Sequence, residues 1–125
     1  MQCTRPVKNS IFACVKPLLQ LDHIEDAANA SGMSLFYFSR PDCGVCKAIR
    51  PKVEQLTESY PQLSSYYVDL DSVPEAAGTF SIFTIPAVLV YANGKETVRE
   101  ARYFSIYELE ERIERYYRML FSEGN

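Results

Sequence analysis

An α/β fold is predicted by three stretches of this sequence. A short apolar run, Leu35-Phe36-Tyr37-Phe38, feeds the turn Ser39-Arg40-Pro41-Asp42-Cys43 and then a helical pattern of Ile49, Val53, Leu56 and Tyr60. Ser65 to Leu70 alternates, with Tyr66, Val68 and Leu70 on one face. Strand, helix and strand therefore follow in the order of a right-handed parallel crossover. Ala87 to Tyr91 and Lys95 to Arg99 flank Asn93-Gly94, a pair suited to a two-residue hairpin because both central positions need positive φ.

Residues 1–20 carry little periodic signal. Arg5-Pro6 and Lys16-Pro17 bias the residue before each proline away from helix, so an extended arm with an edge strand near Ile11–Val15 is expected. One domain is expected from 21 to 122. Its first helix starts with Asp22 as N-cap and Glu25 three residues on, and Gly32 ends it in the left-handed conformation. Ile24, Ala27 and Ala28 face the core. Leu35 to Ser39 is a buried strand bounded by Gly32 and Pro41. The helix after the cysteines holds Pro51, which predicts a kink near Ile49-Arg50, and Tyr60-Pro61 closes it. Ser72 caps a short helix with Pro74 in its first turn, running to about Phe80. Ser105 with Glu108 caps the last helix, whose apolar positions Ile106, Leu109, Ile113, Tyr116 and Leu120 keep helical spacing.

The composition narrows the function classes. A chain of 125 residues that is 47% hydrophobic and 23% charged is ordinary for one soluble globular domain with a single core. The net charge of -3 recommends neither nucleic acid nor an anionic membrane as partner. No apolar run approaches the roughly 18 residues that span a bilayer. Lys16 and Pro17 interrupt the apolar Ile11–Leu21 stretch, so a cytoplasmic protein is expected, with an exported form kept open.

Of the four cysteines, Cys43 and Cys46 form the close pair, while Cys3 and Cys14 lie in the arm. Cys43 falls at the turn and Cys46 within the first helical turn. Unpaired backbone N–H groups and the partial positive charge of a helix start favour thiolate over thiol there. Two intervening residues put the thiols about one turn apart, close enough to close a small disulfide ring. This spacing points to a reversible dithiol/disulfide couple in which exposed Cys43 attacks and more buried Cys46 resolves. A zinc site needs four Cys or His ligands, and the single histidine, His23, belongs to a distant helix. No metal and no cofactor is expected.

The stretch from Asp22 to Leu120 resembles the thioredoxin family. Cys43-Gly44-Val45-Cys46-Lys47 is similar to that family's redox motif at a helix start, with Pro51 at the position of the proline inside that helix. Thr84-Ile85-Pro86, followed by a strand and Asn93-Gly94, resembles its cis-proline segment and closing hairpin, and Val68-Asp69-Leu70-Asp71 with Pro74 resembles the strand end and short helix between them. The resemblance implies a thioredoxin fold: a three-layer sandwich with a central mixed β-sheet flanked by helices, and a cis Ile85–Pro86 bond. A cis X–Pro bond costs only ~0.5–1 kcal/mol. It turns the Ile85 backbone toward the cysteines, where its N–H and C=O can pair with an extended substrate. The implied activity is thiol–disulfide exchange on protein disulfides, with a flavin-dependent, thioredoxin-reductase-like reductant and a monomeric chain.

The departures from the family pattern are specific. Asp42 stands where the family commonly has Trp, and its charge opposes a Cys43 thiolate. Tyr37 takes the place of a buried carboxylate under the second cysteine, with Tyr67 where that carboxylate's lysine partner stands. A buried phenol stays protonated near pH 7 but can donate a hydrogen bond, which implies slower resolution by Cys46 or proton transfer through water. Arg102 occupies the position of a glycine bordering the substrate surface, with Tyr103 beside it, and Val45 replaces a proline between the cysteines. Lys47 supports the thiolate at modest, screened strength. Tyr37, Asp42 and Arg102 also suit a second reading, a binding or adaptor module that uses the cis-proline groove and leaves its cysteines slow or unused.

Overall fold

Residues 15–121 are described by the computed structural model. In chain order the elements are β1 (Val15–Pro17), α1 (Leu21–Asn29), β2 (Met33–Ser39), α2 (Gly44–Thr57), β3 (Leu63–Asp69), α3 (Glu75–Thr79), β4 (Ala87–Ala92), β5 (Lys95–Ala101) and α4 (Ile106–Phe121). The strands form a single mixed sheet in the order β1-β3-β2-β4-β5. β3 runs parallel to both β1 and β2, while β4 is antiparallel to β2 and to β5.

Side chains alternate across this sheet and divide the core in two. Phe36 and Phe38 of β2, Val68 of β3 and Leu89 of β4 pack with Ile24 and Ala28 of α1 and Ala76 of α3. Leu35 and Tyr37, Leu63, Val88 and Val90 pack on the opposite face with Val53 and Leu56 of α2 and Leu109 and Ile113 of α4. The result is three layers, helices on both faces of a central sheet. All seven residues of β2 are buried, which is the burial expected of a central strand covered on both sides. Leu109 and Ile113 are fully buried, and each such aliphatic chain contributes about 1.5–3 kcal/mol on leaving water.

Local signals decide the element ends. Asn93 and Gly94 both take positive φ, 51° and 84°, in a two-residue loop closing the pair Ala92 and Lys95. Asn93 also clamps the entry to β2: its N–H donates to the Gly32 carbonyl at 2.7 Å, and its Oδ1 accepts the Gly32 N–H at 2.8 Å. The Ser105 hydroxyl oxygen caps α4 by accepting the Glu108 N–H at 3.2 Å.

Three expected helix signals act elsewhere. The N-cap of α1 is Gln20, without a side-chain cap. The His23 and Ile24 N–H groups both reach the Gln20 carbonyl, so the helix has begun before Asp22, which instead offers its charge to the first turn. α1 ends at Asn29 with Ala30 as its C-cap; Gly32, at φ 88°, belongs to the Asn93 clamp. α3 has Pro74 as its N-cap. Ser72 does not cap it, because its hydroxyl donates to Asp69 Oδ2 at 3.2 Å, in a turn where Asp69 Oδ1 also accepts the Asp71 N–H at 2.8 Å. The edge strand of the N-terminal arm is β1, whose residues 15–17 pair with 65–67 of β3. Residues Ile11 to Cys14, and Cys3, lie outside the described residues.

Replacing Gly94 by alanine imposes the left-handed cost of an L-residue, about 1–2 kcal/mol. Asn93→Ala leaves the Gly32 N–H without its side-chain acceptor, at about 1 kcal/mol. Urea unfolding should show both losses as lower midpoints with unchanged slope.

Candidate active site

The sheet brings three loops to one end of the molecule. Phe38 of β2 stands opposite Ala87 of β4, and Ala87 opposite Ala101 of β5. The turn leaving β2, the segment entering β4 and the segment leaving β5 therefore emerge side by side. They carry Asp42 and Cys43, Thr84-Ile85-Pro86, and Arg102-Tyr103 respectively.

Cys43 is the N-cap of α2, in extended conformation at φ -94° and ψ 109°. Its N–H donates to the Arg40 carbonyl, and its carbonyl accepts the Lys47 N–H. Its sulfur accepts the Cys46 N–H at 3.1 Å, so a donor at the helix start points at the sulfur. Cys43 and Cys46 are joined as a disulfide with their Cα atoms 5.2 Å apart. Cys46 is 1% exposed, whereas Cys43 is half-buried and Asp42, Gly44 and Lys47 are exposed, with Val45 half-buried. The outer sulfur is thus reachable and the inner one shielded.

Beneath the pair, Tyr37 is buried and its hydroxyl donates to the Cys46 carbonyl at 2.7 Å. The phenol buttresses the backbone of the second cysteine. Burial, with Tyr67 adding to it, holds the Tyr37 phenol well above its ordinary value, so it keeps its proton at neutral pH. Tyr37 stacks on Tyr67 with centroids 6.1 Å apart. The Arg50 guanidinium lies 4.1 Å over the Tyr67 ring and donates to Glu54 Oε2 at 2.9 Å.

Glu54 is the residue here that sequence reasoning missed. It is 2% exposed, and its Oε1 has no hydrogen-bond partner among the described residues. Burial raises its carboxyl above the usual value, with the Arg50 hydrogen bond and charge opposing. A cleft of about 390 Å³ lined by Lys47, Arg50, Pro51 and Glu54 runs along this side of α2. Its position beside Val53 and two before Leu56 was the available signal: it lies on the buried flank of an amphipathic helix.

On the opposite rim the Ile85–Pro86 bond is cis. Pro86 is buried, Ile85 half-buried and Thr84 exposed. Arg102 takes φ 62°, and its backbone N–H donates to the Pro86 carbonyl at 2.6 Å. Its side-chain Nη1 donates to the Ile85 carbonyl at 3.1 Å, and its guanidinium sits 5.0 Å over the ring of Tyr103, which is 77% exposed. His23 is exposed on α1, apart from these loops.

A two-cysteine pair at the N-terminus of a helix, beside a cis-proline segment and on a five-stranded mixed sheet, defines a disulfide-exchange domain. The family model Thioredoxin matches residues 15–115. The chain is 36% identical over 102 residues to the thioredoxin-like protein YdfQ of Bacillus subtilis, covering 82% of this chain and 91% of that protein. It is 37% identical over 70 residues to the thioredoxin of Chlamydia trachomatis, covering 56% of this chain and 69% of that one. Oxidised mitochondrial thioredoxin 3 of Saccharomyces cerevisiae shares the fold at a TM-score of 0.74 and 19% identity, over 85% of this chain and 99% of its own. Plasmodium falciparum thioredoxin matches at a TM-score of 0.74 and 25% identity, over 82% and 99%. The chain belongs to the thioredoxin family, and Cys43–Cys46 is the redox pair of a thiol–disulfide oxidoreductase.

Arg50→Ala removes the half-exposed partner of a buried carboxylate and should cost about 1–3 kcal/mol at pH 8. Since burial raises the Glu54 carboxyl in the fold, its contribution is fully favourable below the unfolded carboxylate's range and is lost as pH rises through the folded value. The Arg50→Ala deficit should therefore shrink between pH 8 and pH 5, read as the difference in urea midpoints at the two pH values. An equal deficit at both would contradict this role for the pair.

Proposed function

We propose that this protein reduces disulfides in other proteins. The observation that carries the reading is the asymmetry of the pair: Cys43 sulfur at the start of α2, accepting the Cys46 N–H, above a Cys46 that is 1% exposed. The Cys43 thiolate attacks one sulfur of a substrate disulfide and expels the other as thiolate. Cys46, losing its proton, then attacks Cys43 sulfur; the mixed disulfide breaks, the substrate leaves reduced, and the Cys43–Cys46 bond holds the two electrons' worth of oxidation. A flavin-dependent reductase of the thioredoxin-reductase type returns the dithiol.

Placement supports the following roles. Gly44 and Val45 span the ring, Lys47 adds positive charge, Asp42 opposes it, and Tyr37 fixes the Cys46 backbone. Thr84, Ile85 and Pro86, with Arg102 and Tyr103, form the surface on which the substrate chain lies. No helix among the described residues is long and apolar enough to cross a membrane, and family relatives that work as reductases suit a reducing compartment such as the cytoplasm. The working unit is one monomeric domain, residues 21–122, with 1–20 as an arm that lends β1 to the sheet.

In a dithiothreitol-driven insulin reduction assay, Cys43→Ser should fall to the rate of dithiothreitol alone. Cys46→Ser should instead accumulate mixed disulfides with protein substrates, visible by mass and released by excess thiol. A Cys43→Ser protein with wild-type turnover would overturn the assignment.

A further inference from the structure

The rim opposite the cysteines carries a charged side chain in an unusual setting. Arg102 is a non-glycine residue at φ 62°, a conformation that costs an L-residue free energy and that clusters at functional sites. Two hydrogen bonds fix it there, from its N–H to the Pro86 carbonyl and from Nη1 to the Ile85 carbonyl. Tyr103 backs the guanidinium from one side, with Nη2 3.4 Å from its hydroxyl.

The charge itself has no carboxylate. Among the described residues, Arg40, Arg50, Arg99, Arg112 and Arg118 each pair with an acidic side chain, whereas Arg102 and Arg115 do not. Among the described residues no carboxylate comes within ion-pair distance of Arg102. An exposed, backbone-anchored guanidinium at the same end of the sheet as a reactive sulfur is a preorganised acceptor site for an anion on an incoming chain.

Arg102 also occupies an atom the substrate needs. An extended chain lying along Ile85 pairs with both its N–H and its C=O, and the Ile85 carbonyl already accepts from Arg102. A neutral chain must share that carbonyl with the guanidinium or push the guanidinium aside into water. A chain with a carboxylate close to its disulfide offers that guanidinium a new partner as it moves aside.

Building on the reductase reading above, we propose that Arg102 is a specificity-determining residue that selects disulfide substrates carrying an acidic side chain near the attacked cysteine. It acts as a latch on the Ile85 carbonyl that a substrate carboxylate releases.

The test uses two disulfide peptides that differ in one residue beside the cysteine, Glu against Gln. The wild-type protein should reduce the Glu peptide with a kcat/KM about three- to fivefold higher, the size of one partly exposed charge pair. That ratio should shrink at 1 M salt, where the screening length is about 3 Å. Arg102→Gly fits the positive φ and should bring the ratio to about one while raising kcat/KM for the Gln peptide, because the Ile85 carbonyl is freed. Arg102→Lys should keep part of the preference. Equal rates for the two peptides with the wild type, or a ratio unchanged in Arg102→Gly, would overturn the proposal. Binding of the same two peptides to Cys43→Ser, followed by fluorescence anisotropy, reads the preference without any chemistry. Lack of turnover with a retained Glu preference in binding would sink the reductase reading and leave the Arg102 assignment standing.

Discussion

β2 is buried along its whole length because it sits between β3 and β4 and beneath helices on both faces. Its side chains therefore have to alternate correctly, Phe36 and Phe38 toward α1 and α3, Leu35 and Tyr37 toward α2 and α4. A slip of one residue would exchange the two sets and aim each at a core shaped for the other. The register that satisfies both cores also fixes where the strand ends. Ser39 pairs with Asp69 at the end of β3, and the next residues turn into α2 with Cys43 as its N-cap. The reactive sulfur is placed by packing several residues away from it.

The same register puts Tyr37 under Cys46, and this changes how the buried side of the site is built. A phenol at this depth holds its proton and so cannot take one from Cys46; it donates that proton to the Cys46 carbonyl in a hydrogen bond. The buried carboxylate of the region lies instead on α2, at Glu54, where Arg50 pairs with it and also covers Tyr67. A buried charge without a partner is costly, so the two aromatic rings and the ion pair form one interdependent cluster. The chain thus separates two tasks: Tyr37 fixes backbone geometry, and the ion pair along the α2 flank holds the charge.

Much of the fold was legible because its signals are local. Period-two alternation marks β3, a short continuous apolar run marks β4, Asn93-Gly94 allows one turn geometry, and Ser105 stands where α4 needs an acceptor. Asp22 and Ser72 misled for the opposite reason. Each is a good capping residue in a plausible place, but the preceding chain had already set the helix start at Gln20 in one case, and the Asp69 carboxylate claimed the hydroxyl in the other. At the site, Cys43 and Cys46 were readable from their spacing, and the Ile85–Pro86 segment from the resemblance to the thioredoxin family. Glu54 was harder to read: it borders the apolar flank of α2 and has Arg50 one turn before it on the same helix, a pattern equally at home on a solvent-facing surface, and its 2% exposure comes from the packing of that flank. The latch made by Arg102 depends on a positive φ and a carbonyl 17 positions earlier, neither of which a one-dimensional pattern carries.

The central claim is that the two thiols of the reduced protein are chemically unequal, with Cys43 presented and Cys46 shielded. Mapping brief alkylation of the fully reduced chain at neutral pH by mass spectrometry tests it most directly. Cys43 should be modified many times faster than Cys46, with Cys46 reacting at a comparable rate only after unfolding in denaturant. Equal modification of both in the native protein, or faster modification of Cys46, would contradict the account.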